Sequence, residues 1–338
     1  MALGVTGVLV GCWTDEEAGT GCTVVVPPAG TIGGAAVRGG APGSRELGPL
    51  LPTSSGVECH AVVLCGSSVF GLAAADGVTS WCVDHDIGLD LPTARVPVVA
   101  AAVVFDLVRE GMRRPTAADG YTAAAAAAAD DPPMGPFGVG TGCTIGKTAG
   151  RAHSARGGQG WAVESARGIT VGALMAVNPV GDVLDERGEL LVGSTAPPDA
   201  PRFPEFSLAE LYAAERGDDA NGGGDDVGGT GEGPDGGASA AVDSHANTVI
   251  GCVVTNAALT KAEVCRVADL AHTGIARSVS PAHTTVDGDS MFALATGEVV
   301  PDAGIDLVAD LAARAVAAAI RAGARAAAAA GGCDDDRA

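Results

Sequence analysis

The strongest constraint on the fold of this chain is a segment that cannot join a hydrophobic core. Residues 217–243 read GDDANGGGDDVGGTGEGPDGGASAAVD and carry no large apolar side chain apart from two valines. Such a segment buries too little apolar surface to offset the conformational entropy lost on ordering, so we predict a disordered, acidic, glycine-rich tether. The tether divides the foldable chain in two, and the second part begins with a strand-like run at Asn247-Thr248.

Strand-like and helix-like runs alternate on both sides of the tether. Apolar runs bounded by Gly, Pro or Asn predict strands at residues 22–30, 60–66, 169–178 and 249–256. Helical spacing of apolar residues predicts helices at 70–86, 96–112, 260–279 and 304–329, the third with a capping box between Thr260 and Glu263. An alanine run and a proline-rich turn at 118–135 predict a mobile surface excursion. The alternation predicts an α/β fold with helices covering the sheet faces.

The charge balance argues against two classes of partner. The chain has 41 acidic and 20 basic residues, a net charge of -21, and Lys147 and Lys261 are its two lysines. Such a surface repels polyanions, so we expect no nucleic acid and no anionic lipid as partner. The longest apolar stretches are too short or too interrupted by charge to cross a bilayer of about 30 Å, so we predict no membrane span. A high-salt cytoplasm and codon bias explain the acidity equally well.

The cysteine pattern points to reduced thiols. The nine cysteines form no C-x-x-C pair, and they lie at positions 12, 22, 59, 65, 82, 143, 252, 265 and 333. An odd number without paired spacing argues against a disulfide framework and against a zinc site. We therefore expect a cytoplasmic protein with no structural metal and no cofactor.

The Asn247-Thr248 pair offers a nucleophile if the chain is cut between the two residues. Thr248 would then carry its hydroxyl and its α-amine on one residue, and an α-amine with a pKa of about 7.7 to 8.0 is a base suited to neutral pH. Taken alone the pair is a weak signal, because Asn often ends turns and Thr often begins strands.

The segment HTTVDGDSMFALATGE at 283–298 adds two carboxylates. Asp287 and Asp289 are two positions apart, so in an extended conformation their side chains share one side. A hairpin turn explains the DGD triplet equally well, and a calcium loop would lack its other ligands. A serine–histidine site is a further alternative, but the chain has no G-x-S-x-G elbow, and packing or surface roles are expected for the histidines. The residues of that alternative are His245, His272, His283, Ser278, Ser280 and Ser290.

Two further polar residues follow distinctive runs. Lys147 ends GVGTGCTIGK, whose glycines suggest a phosphate-binding loop, but the first glycine of that motif is replaced by Thr141. A solvated surface lysine is the ordinary alternative for Lys147. Asn178 ends the strand-like run at 169–178 and precedes a proline, where a turn residue is also common.

Together these motifs resemble the self-cleaving P1-type peptidases, the aminopeptidase/esterase family of N-terminal nucleophile-like hydrolases. The similarity rests on VGCWTDEEAGTGCTVVV, AAVRGGAPGSRE, HAVVLCGSSVFGLAAADGV, GVGTGCTIGK and residues 247–297, and it omits only about 115–133 and 205–243. The resemblance implies an αββα sandwich and a single catalytic domain, residues 1–338. It also implies a self-cut between Asn247 and Thr248 that gives a large chain, 1–247, and a small chain, 248–338.

The chain is similar to the threonine branch of that family, which includes a pantetheine hydrolase and nylon oligomer hydrolases. The resemblance implies five site residues: Lys147, Asn178, Thr248, Asp287 and Asp289. Thr248 would be the nucleophile, and the two carboxylates would orient its amine and hydroxyl. The amide of Asn178 would support an oxyanion, and the cation of Lys147 would favour the neutral α-amine.

The implied function is hydrolysis of a small linear amide or peptide through an acyl-enzyme. The family offers aminopeptidase activity and endo-type hydrolysis of 6-aminohexanoate oligomers, and it suggests a homo-oligomer, a tetramer or higher. Two alternatives stay open. One is acyl transfer to an amine, as in the related ornithine acetyltransferases, and the other is an uncleaved binding protein that keeps the fold without the chemistry.

Overall fold

Two five-stranded sheets lie face to face in the computed structural model of this chain, which describes residues 1–107, 111–208, 210–211 and 247–331. The predicted tether, residues 217–243, lies outside the described residues. The strands, in chain order, are β1 (Leu9–Asp15), β2 (Thr20–Val26), β3 (Ile32–Val37), β4 (Ser44–Arg45), β5 (Ala61–Cys65), β6 (Leu89–Leu91), β7 (Ala94–Val96), β8 (Val99–Val103), β9 (Thr144–Ile145), β10 (Ala155–Arg156), β11 (Gly158–Ala166), β12 (Ile169–Asn178), β13 (Asp182–Leu184), β14 (Leu190–Val192), β15 (Thr248–Ala257), β16 (Val279–Ser280) and β17 (Ser290–Val299).

The longer α-helices cover the outer faces of these sheets. They are α1 (Ala74–Asp84), α2 (Ala117–Ala125), α3 (Lys261–Ser278) and α4 (Ile305–Gly331). Short 3₁₀ turns lie at Ala2–Gly4, Gly48–Leu50, Ser68–Ala73, Gly138–Gly140, Lys147–Ala149 and Arg151–His153. Among the helices of the described part, none combines the length and the apolar character that a membrane crossing requires.

Each large sheet contains one parallel pair of strands joined through a helix. The first sheet has the order β1-β2-β5-β8-β4, and the second has the order β11-β12-β15-β17-β3. β5 and β8 are parallel and α1 lies between them in the chain, while β15 and β17 are parallel and α3 lies between them. The other neighbouring strands of both sheets are antiparallel. Three small sheets pair β6 with β7, β9 with β10, and β13 with β14 and β16.

The side chains of β5 show how the layers form. Val62 and Leu64 belong to the core between the two sheets, whereas Ala61, Val63 and Cys65 pack with buried residues of α1 and α2. Successive side chains of a strand point to opposite faces, so each face of the sheet buries its own set. Helices therefore lie outside two stacked sheets, and the predicted αββα sandwich is confirmed.

The second sheet repeats this pattern with β15 against α3 and α4. Ile250 faces the first sheet, while Val249 and Val253 join the core under the helices. The alanine-rich α4 approaches β11 so closely that a Cβ on Gly160 would lie 2.3 Å from the Gly323 nitrogen. Small residues on both elements thus allow backbone-to-backbone packing.

Several sequence predictions agree with these elements. The runs at 169–178 and 249–256 form β12 and β15, and the helices predicted at 260–279 and 304–329 are α3 and α4. The predicted capping box is present at the start of α3, where the Thr260 N–H donates to Glu263 Oε2 at 2.8 Å.

The helix predicted at 96–112 is wrong. Val99–Val103 form β8, which lies inside the first sheet between β5 and β4. All five residues of β8 are buried, because one face meets the other sheet and the opposite face meets the helices. A strand buried on both faces reads as a continuous apolar run, and periodicity cannot distinguish such a run from a buried helix.

The mobile surface excursion predicted at 118–135 is wrong for its first part, which is helical. Ala117–Ala125 form α2, and the Thr116 N–H donates to Asp119 Oδ2 at 2.8 Å in a capping box. The helix packs closely against α1, as Gly120 shows: a Cβ added there would lie 1.9 Å from the Ala74 carbonyl oxygen of α1. Alanine is the best helix former and is small enough for this approach, so Ala117–Ala125 form a packed helix, whereas residues 126–134 lie outside the helices and named strands and are mostly exposed.

Candidate active site

Three strand ends of the second sheet bring the predicted site residues together. Asn178, the last residue of β12, lies directly opposite Thr248, the first residue of β15. The loop before β17 runs beside the start of β15, and Asn247 forms a parallel bridge with Asp287. The antiparallel β12–β15 pair and the parallel β15–β17 pair therefore place residues that are distant in sequence at one edge of the sheet.

The Asn247–Thr248 peptide bond lies at the centre of this arrangement. The Thr248 hydroxyl makes a short hydrogen bond to the Asn247 carbonyl oxygen, and the Gly288 N–H donates to the same oxygen at 3.0 Å. Asn247 is fully buried, and Thr248 is 3% exposed. Within the described part of the chain, neither polar atom of the Asn247 side chain finds a hydrogen-bond partner. A buried amide without partners destabilises the native state by about 1 to 3 kcal/mol per group.

The loop at 287–289 is held against the residues that follow β3. The Ala41 N–H donates to the Asp287 carbonyl oxygen at 2.8 Å, and the Gly39 N–H donates to the Asp289 carbonyl oxygen at 3.2 Å. A Cβ on Gly39 would lie 2.3 Å from both the Asp287 oxygen and the Asp289 nitrogen. Glycine at position 39 therefore allows the two segments to meet, which fixes the backbone between the two carboxylates.

Asp287 is a buried carboxylate with several donors. The Thr284 hydroxyl and N–H donate to its Oδ2 at 2.5 Å and 3.1 Å, and the Val180 N–H lies 3.4 Å from its Oδ1. Burial, reinforced by the charge of Asp289, raises the pKa of Asp287 to about 6. Asp287 is thus charged at neutral pH and gains a proton under mildly acidic conditions.

Asp289 connects the nucleophile's strand to the same loop. Its Oδ1 accepts a hydrogen bond of 2.7 Å from the N–H of Val249, the residue after Thr248. Its Oδ2 accepts from the His283 N–H at 3.1 Å and lies 2.7 Å from His283 Nδ1. Asp289 is 1% exposed, so these contacts replace its hydration.

Lys147 is fully buried, which excludes the alternative of a solvated surface lysine. Its Nζ donates to the Thr144 carbonyl and hydroxyl oxygens at 2.7 Å and 3.0 Å, and to Asn178 Oδ1 and the Asn178 carbonyl oxygen at 3.0 Å and 3.2 Å. Burial, with a further contribution from the positive charge of Arg151, lowers the pKa of Lys147 to about 7. Its ammonium and neutral amine are therefore both populated near neutral pH.

The carboxamide of Asn178 links Lys147 to the strand end. Its Oδ1 also accepts from the Thr144 N–H at 2.9 Å, and its Nδ2 donates to the Phe105 carbonyl oxygen at 3.1 Å. In the intact chain the amide nitrogen is thus engaged with the segment after β8. Reaching a substrate oxyanion would require Nδ2 to share or exchange this contact.

A cleft of about 450 Å³ opens beside Thr248. Its described lining is uncharged, and it comprises Gly40, Ala41, Pro42, Gly43, Ser68, Val69, Val103, Phe105 and Thr248. Thr248 thus contributes to the wall of the cleft, and neither Asp287 nor Asp289 is among the lining residues. In the described residues, no cluster of three or more His, Cys, Asp or Glu side chains has the arrangement of a metal site.

The alternative serine–histidine site finds no support in the contacts of the described serines. The Ser278 hydroxyl donates to the Gly274 carbonyl oxygen, and the Ser290 hydroxyl donates to the Gly288 carbonyl oxygen. His245 lies outside the described residues.

His283, for which a packing or surface role was expected, instead contacts Asp289. Sequence reasoning also missed the Gly288 N–H, because backbone donors carry no residue signature. The spacing of HTTVDGD, with a histidine six positions before Asp289, was the available signal for His283.

Comparison with known proteins identifies the family. The profile of peptidase family S58 matches residues 3–338. An uncharacterized aminopeptidase of Mycobacterium tuberculosis (strain ATCC 25618 / H37Rv) is 40% identical over 294 residues, which cover 84% of this chain and 76% of that protein. A 6-aminohexanoate-oligomer endohydrolase of Paenarthrobacter ureafaciens is 29% identical over 299 residues, which cover 87% of this chain and 74% of that protein.

Solved structures agree on the fold. A beta-aminopeptidase of Burkholderia sp. matches with a TM-score of 0.65 at 20% identity, over 95% of this chain and 85% of that one. The L-aminopeptidase D-Ala-esterase/amidase of Ochrobactrum anthropi, described as a variant of the Ntn hydrolase fold, matches with a TM-score of 0.64 at 20% identity, over 96% of this chain and 85% of that one. The resemblance inferred from the motifs is confirmed, and this chain belongs to peptidase family S58, a family of amide-bond hydrolases.

Proposed function

We propose that this chain is an autoprocessing amide hydrolase in which Thr248 becomes an N-terminal nucleophile. The main support comes from the surroundings of the Asn247–Thr248 peptide bond. Its carbonyl oxygen accepts hydrogen bonds from the Thr248 hydroxyl and from the Gly288 N–H. A hydroxyl beside the carbonyl and a fixed donor on its oxygen are what an intramolecular acyl shift requires.

The first stage is cleavage of the intact chain. The Thr248 Oγ attacks the Asn247 carbonyl carbon, and negative charge develops on the oxygen that already accepts from the Gly288 N–H. The C–N bond then breaks, the Thr248 nitrogen takes up the hydroxyl proton, and an ester joins Asn247 to Thr248 Oγ. Water hydrolyses this ester, which leaves a carboxylate on Asn247 and a free α-amine on Thr248.

The second stage is turnover at the new N-terminus. The neutral α-amine takes the hydroxyl proton as Oγ attacks a substrate amide, and the leaving amine departs with a proton. The resulting acyl-enzyme is an ester on Thr248, which water hydrolyses. Two contacts support the role of Thr248 as nucleophile. The hydrogen bond from the Val249 N–H to Asp289 holds the residue that follows the Thr248 amine, and the Asn247–Asp287 bridge places a second carboxyl group nearby.

Lys147, held by Asn178, influences the protonation of the Thr248 α-amine. Lys147 Nζ contacts Asn178 Oδ1 at 3.0 Å, and Asn178 faces Thr248 across the β12–β15 pair. Positive charge at this position opposes protonation of the Thr248 α-amine and so favours its basic form. Burial lowers the pKa of Lys147 to about 7, so its positive charge changes with pH near neutrality.

The cleft beside Thr248 supports a substrate of small linear amide or peptide type. Its described lining has no charged group, and Pro42, Val103 and Phe105 supply apolar surface for a short hydrocarbon segment. The names of the aminopeptidase and 6-aminohexanoate-oligomer endohydrolase relatives support two modes, removal of a terminal residue and internal cleavage of a linear ω-amino amide.

We further propose a cytoplasmic location and a homo-oligomer, with a tetramer or higher as the expected assembly. The described cysteines are all free thiols, and seven of the eight are buried, which supports a reducing compartment. Light scattering of the purified protein measures the assembly, and a monomer would contradict this proposal.

The activity is tested by comparing two substrates with two proteins. Wild-type protein and the Thr248→Ala variant are incubated separately with a small aminoacyl amide and with linear 6-aminohexanoate oligomers, and released amines are quantified. We expect wild type to hydrolyse at least one substrate and Thr248→Ala to hydrolyse neither. Equal hydrolysis by both proteins would exclude Thr248 as the nucleophile.

A further inference from the structure

The imidazole of His283 lies between two hydrogen-bond acceptors. Its Nδ1 is 2.7 Å from Asp289 Oδ2, and its Nε2 is 3.3 Å from the His272 carbonyl oxygen. A neutral imidazole carries one N–H, whereas the imidazolium carries two. Two acceptors on opposite sides of one ring are therefore both satisfied only when His283 is a cation.

Asp289 is the acceptor of several hydrogen bonds. Two backbone N–H groups, those of Val249 and His283, donate to it at 2.7 Å and 3.1 Å, in addition to the His283 ring. The His283 side chain is 17% exposed and that of Asp289 is 1% exposed, so their contact is largely shielded from water.

We propose that His283 is a positioning residue that, as an imidazolium, fixes Asp289 and through it the start of the strand that carries Thr248. The contacts run from the His283 ring to Asp289 Oδ2, and from Asp289 Oδ1 to the Val249 N–H beside Thr248. This inference rests on the proposed function of Thr248. His283 does not touch the scissile bond in this arrangement, and it acts by orienting Asp289.

The surroundings of His283 decide how it titrates. Burial lowers its pKa, but the hydrogen bond to Asp289 and the charge of Asp289 outweigh burial and raise the pKa above the ordinary value of 6.5. His272 contacts the ring edge-on, with 4.9 Å between centroids, and burial lowers the pKa of His272 to about 4. The charged or titratable groups that act on His283 are Asp289, His272 and Arg38; Asp269 interacts in turn with Arg38 and His272, and Asp287 with Asp289.

The sign of the pH effect follows from this direction. A base whose pKa is raised in the folded protein stabilises the fold fully below its unfolded pKa of 6.5, and this contribution is lost as pH rises through the folded pKa. Positioning of Thr248 should therefore weaken as pH rises through the folded pKa of His283, which lies above 6.5.

The ion pair is tested by nuclear magnetic resonance on the full-length wild-type protein. Imidazole nitrogen shifts report the protonation of His283, and the Val249 amide shift reports the hydrogen bond from Asp289. We expect His283 to titrate above 6.5 and the Val249 amide to shift in step with it. A His283 pKa at or below 6.5, or a Val249 amide shift that does not change as His283 titrates, would overturn the inference. This holds whether or not the protein hydrolyses amides.

Positioning is tested with His283→Asn, because Asn tolerates the positive φ of 56° at this position and its amide can replace the Nδ1 donor without a charge. We expect amide hydrolysis about ten- to hundredfold slower than wild type at neutral pH, by analogy with the loss of residues that orient metal ligands. The decline of activity as pH rises through the folded pKa of His283 should disappear in this variant.

The matched control is His85→Asn, an exposed histidine at the end of α1, which should behave as wild type. If wild type depends on Thr248 while His283→Asn matches wild type at every pH, His283 has no positioning role. If Thr248→Ala retains activity, the proposed function fails instead. The nuclear magnetic resonance titration then still shows whether His283 and Asp289 form an ion pair.

Discussion

The Gly288 N–H donates a hydrogen bond of 3.0 Å to the Asn247 carbonyl oxygen, the oxygen that the Thr248 hydroxyl also contacts. Gly288 can approach this bond because it has no side chain. A Cβ at position 288 would lie 2.8 Å from Thr248 Oγ1 and 2.8 Å from the Ala41 carbonyl oxygen. The donor and the nucleophile therefore share one carbonyl only while residue 288 is glycine.

Gly288→Ala should slow chain cleavage about a hundredfold, because the new Cβ displaces the donor or the Thr248 hydroxyl. The cleaved fraction is measured by denaturing electrophoresis at intervals after synthesis. Gly48→Ala is the matched control, since a Cβ there meets nothing within 4 Å. Normal cleavage of Gly288→Ala would show that the Gly288 N–H is not needed.

Thr248→Ala should stay uncut and inactive, whereas Thr248→Ser should still be cut, at a reduced rate. The reason is that one hydroxyl serves both the acyl shift and turnover, and serine retains it. Mass spectrometry of the denatured proteins measures cleavage, and amine release measures turnover. A cut alanine variant would require another nucleophile.

Asp287→Ala and Asp289→Ala should each lower turnover by about a hundredfold, as does removal of a preorganised catalytic group. Turnover and melting temperature are compared with those of the control variant Asp302→Ala. Asp302 forms an exposed ion pair with Arg167, and exposed ion pairs contribute little to stability. Unchanged turnover combined with a large fall in melting temperature would assign the two carboxylates to loop structure alone.

Lys147→Met should change how stability depends on pH. The folded pKa of Lys147, about 7, lies below its ordinary value of 10.5, so between these values the unfolded chain binds more protons than the folded one. Its contribution to the free energy of unfolding therefore increases as pH rises from 7 toward 10.5.

The measurement is urea unfolding at pH 7.0 and 9.5 in the uncut Thr248→Ala background, so that a single chain unfolds. Relative to the chain with Met at position 147, the chain with Lys147 should gain stability between the two pH values. An equal pH dependence of both proteins would mean that the pKa of Lys147 is not lowered.

The ends of single strands could be predicted from the sequence. Turn residues mark strand ends, so Asn178 and Thr248 could be placed at the ends of two apolar runs, whereas β17, which follows the two carboxylates, was not predicted. Which runs become neighbours depends on tertiary packing, and here the family resemblance supplied what the local pattern lacks.

Features that depend on packing could not be predicted. Apolar spacing predicted a helix where β8 lies, because a strand buried on both faces has a continuous apolar run, and α2 was included in a predicted surface excursion because its alanine run precedes a proline-rich turn. The burial of Lys147 arises where separate segments meet, because its Nζ contacts Asn178 of β12, and no spacing within one segment encodes such a contact.

The most direct test of the account is the identity of the N-terminal residue of the small chain. Purified wild-type protein is separated under denaturing conditions, and the smaller fragment is sequenced from its N-terminus. We expect two fragments, with the smaller one beginning Thr248-Val249-Ile250. A protein that remains a single chain, or a small fragment that begins at any other residue, would contradict the assignment of Thr248 as the nucleophile.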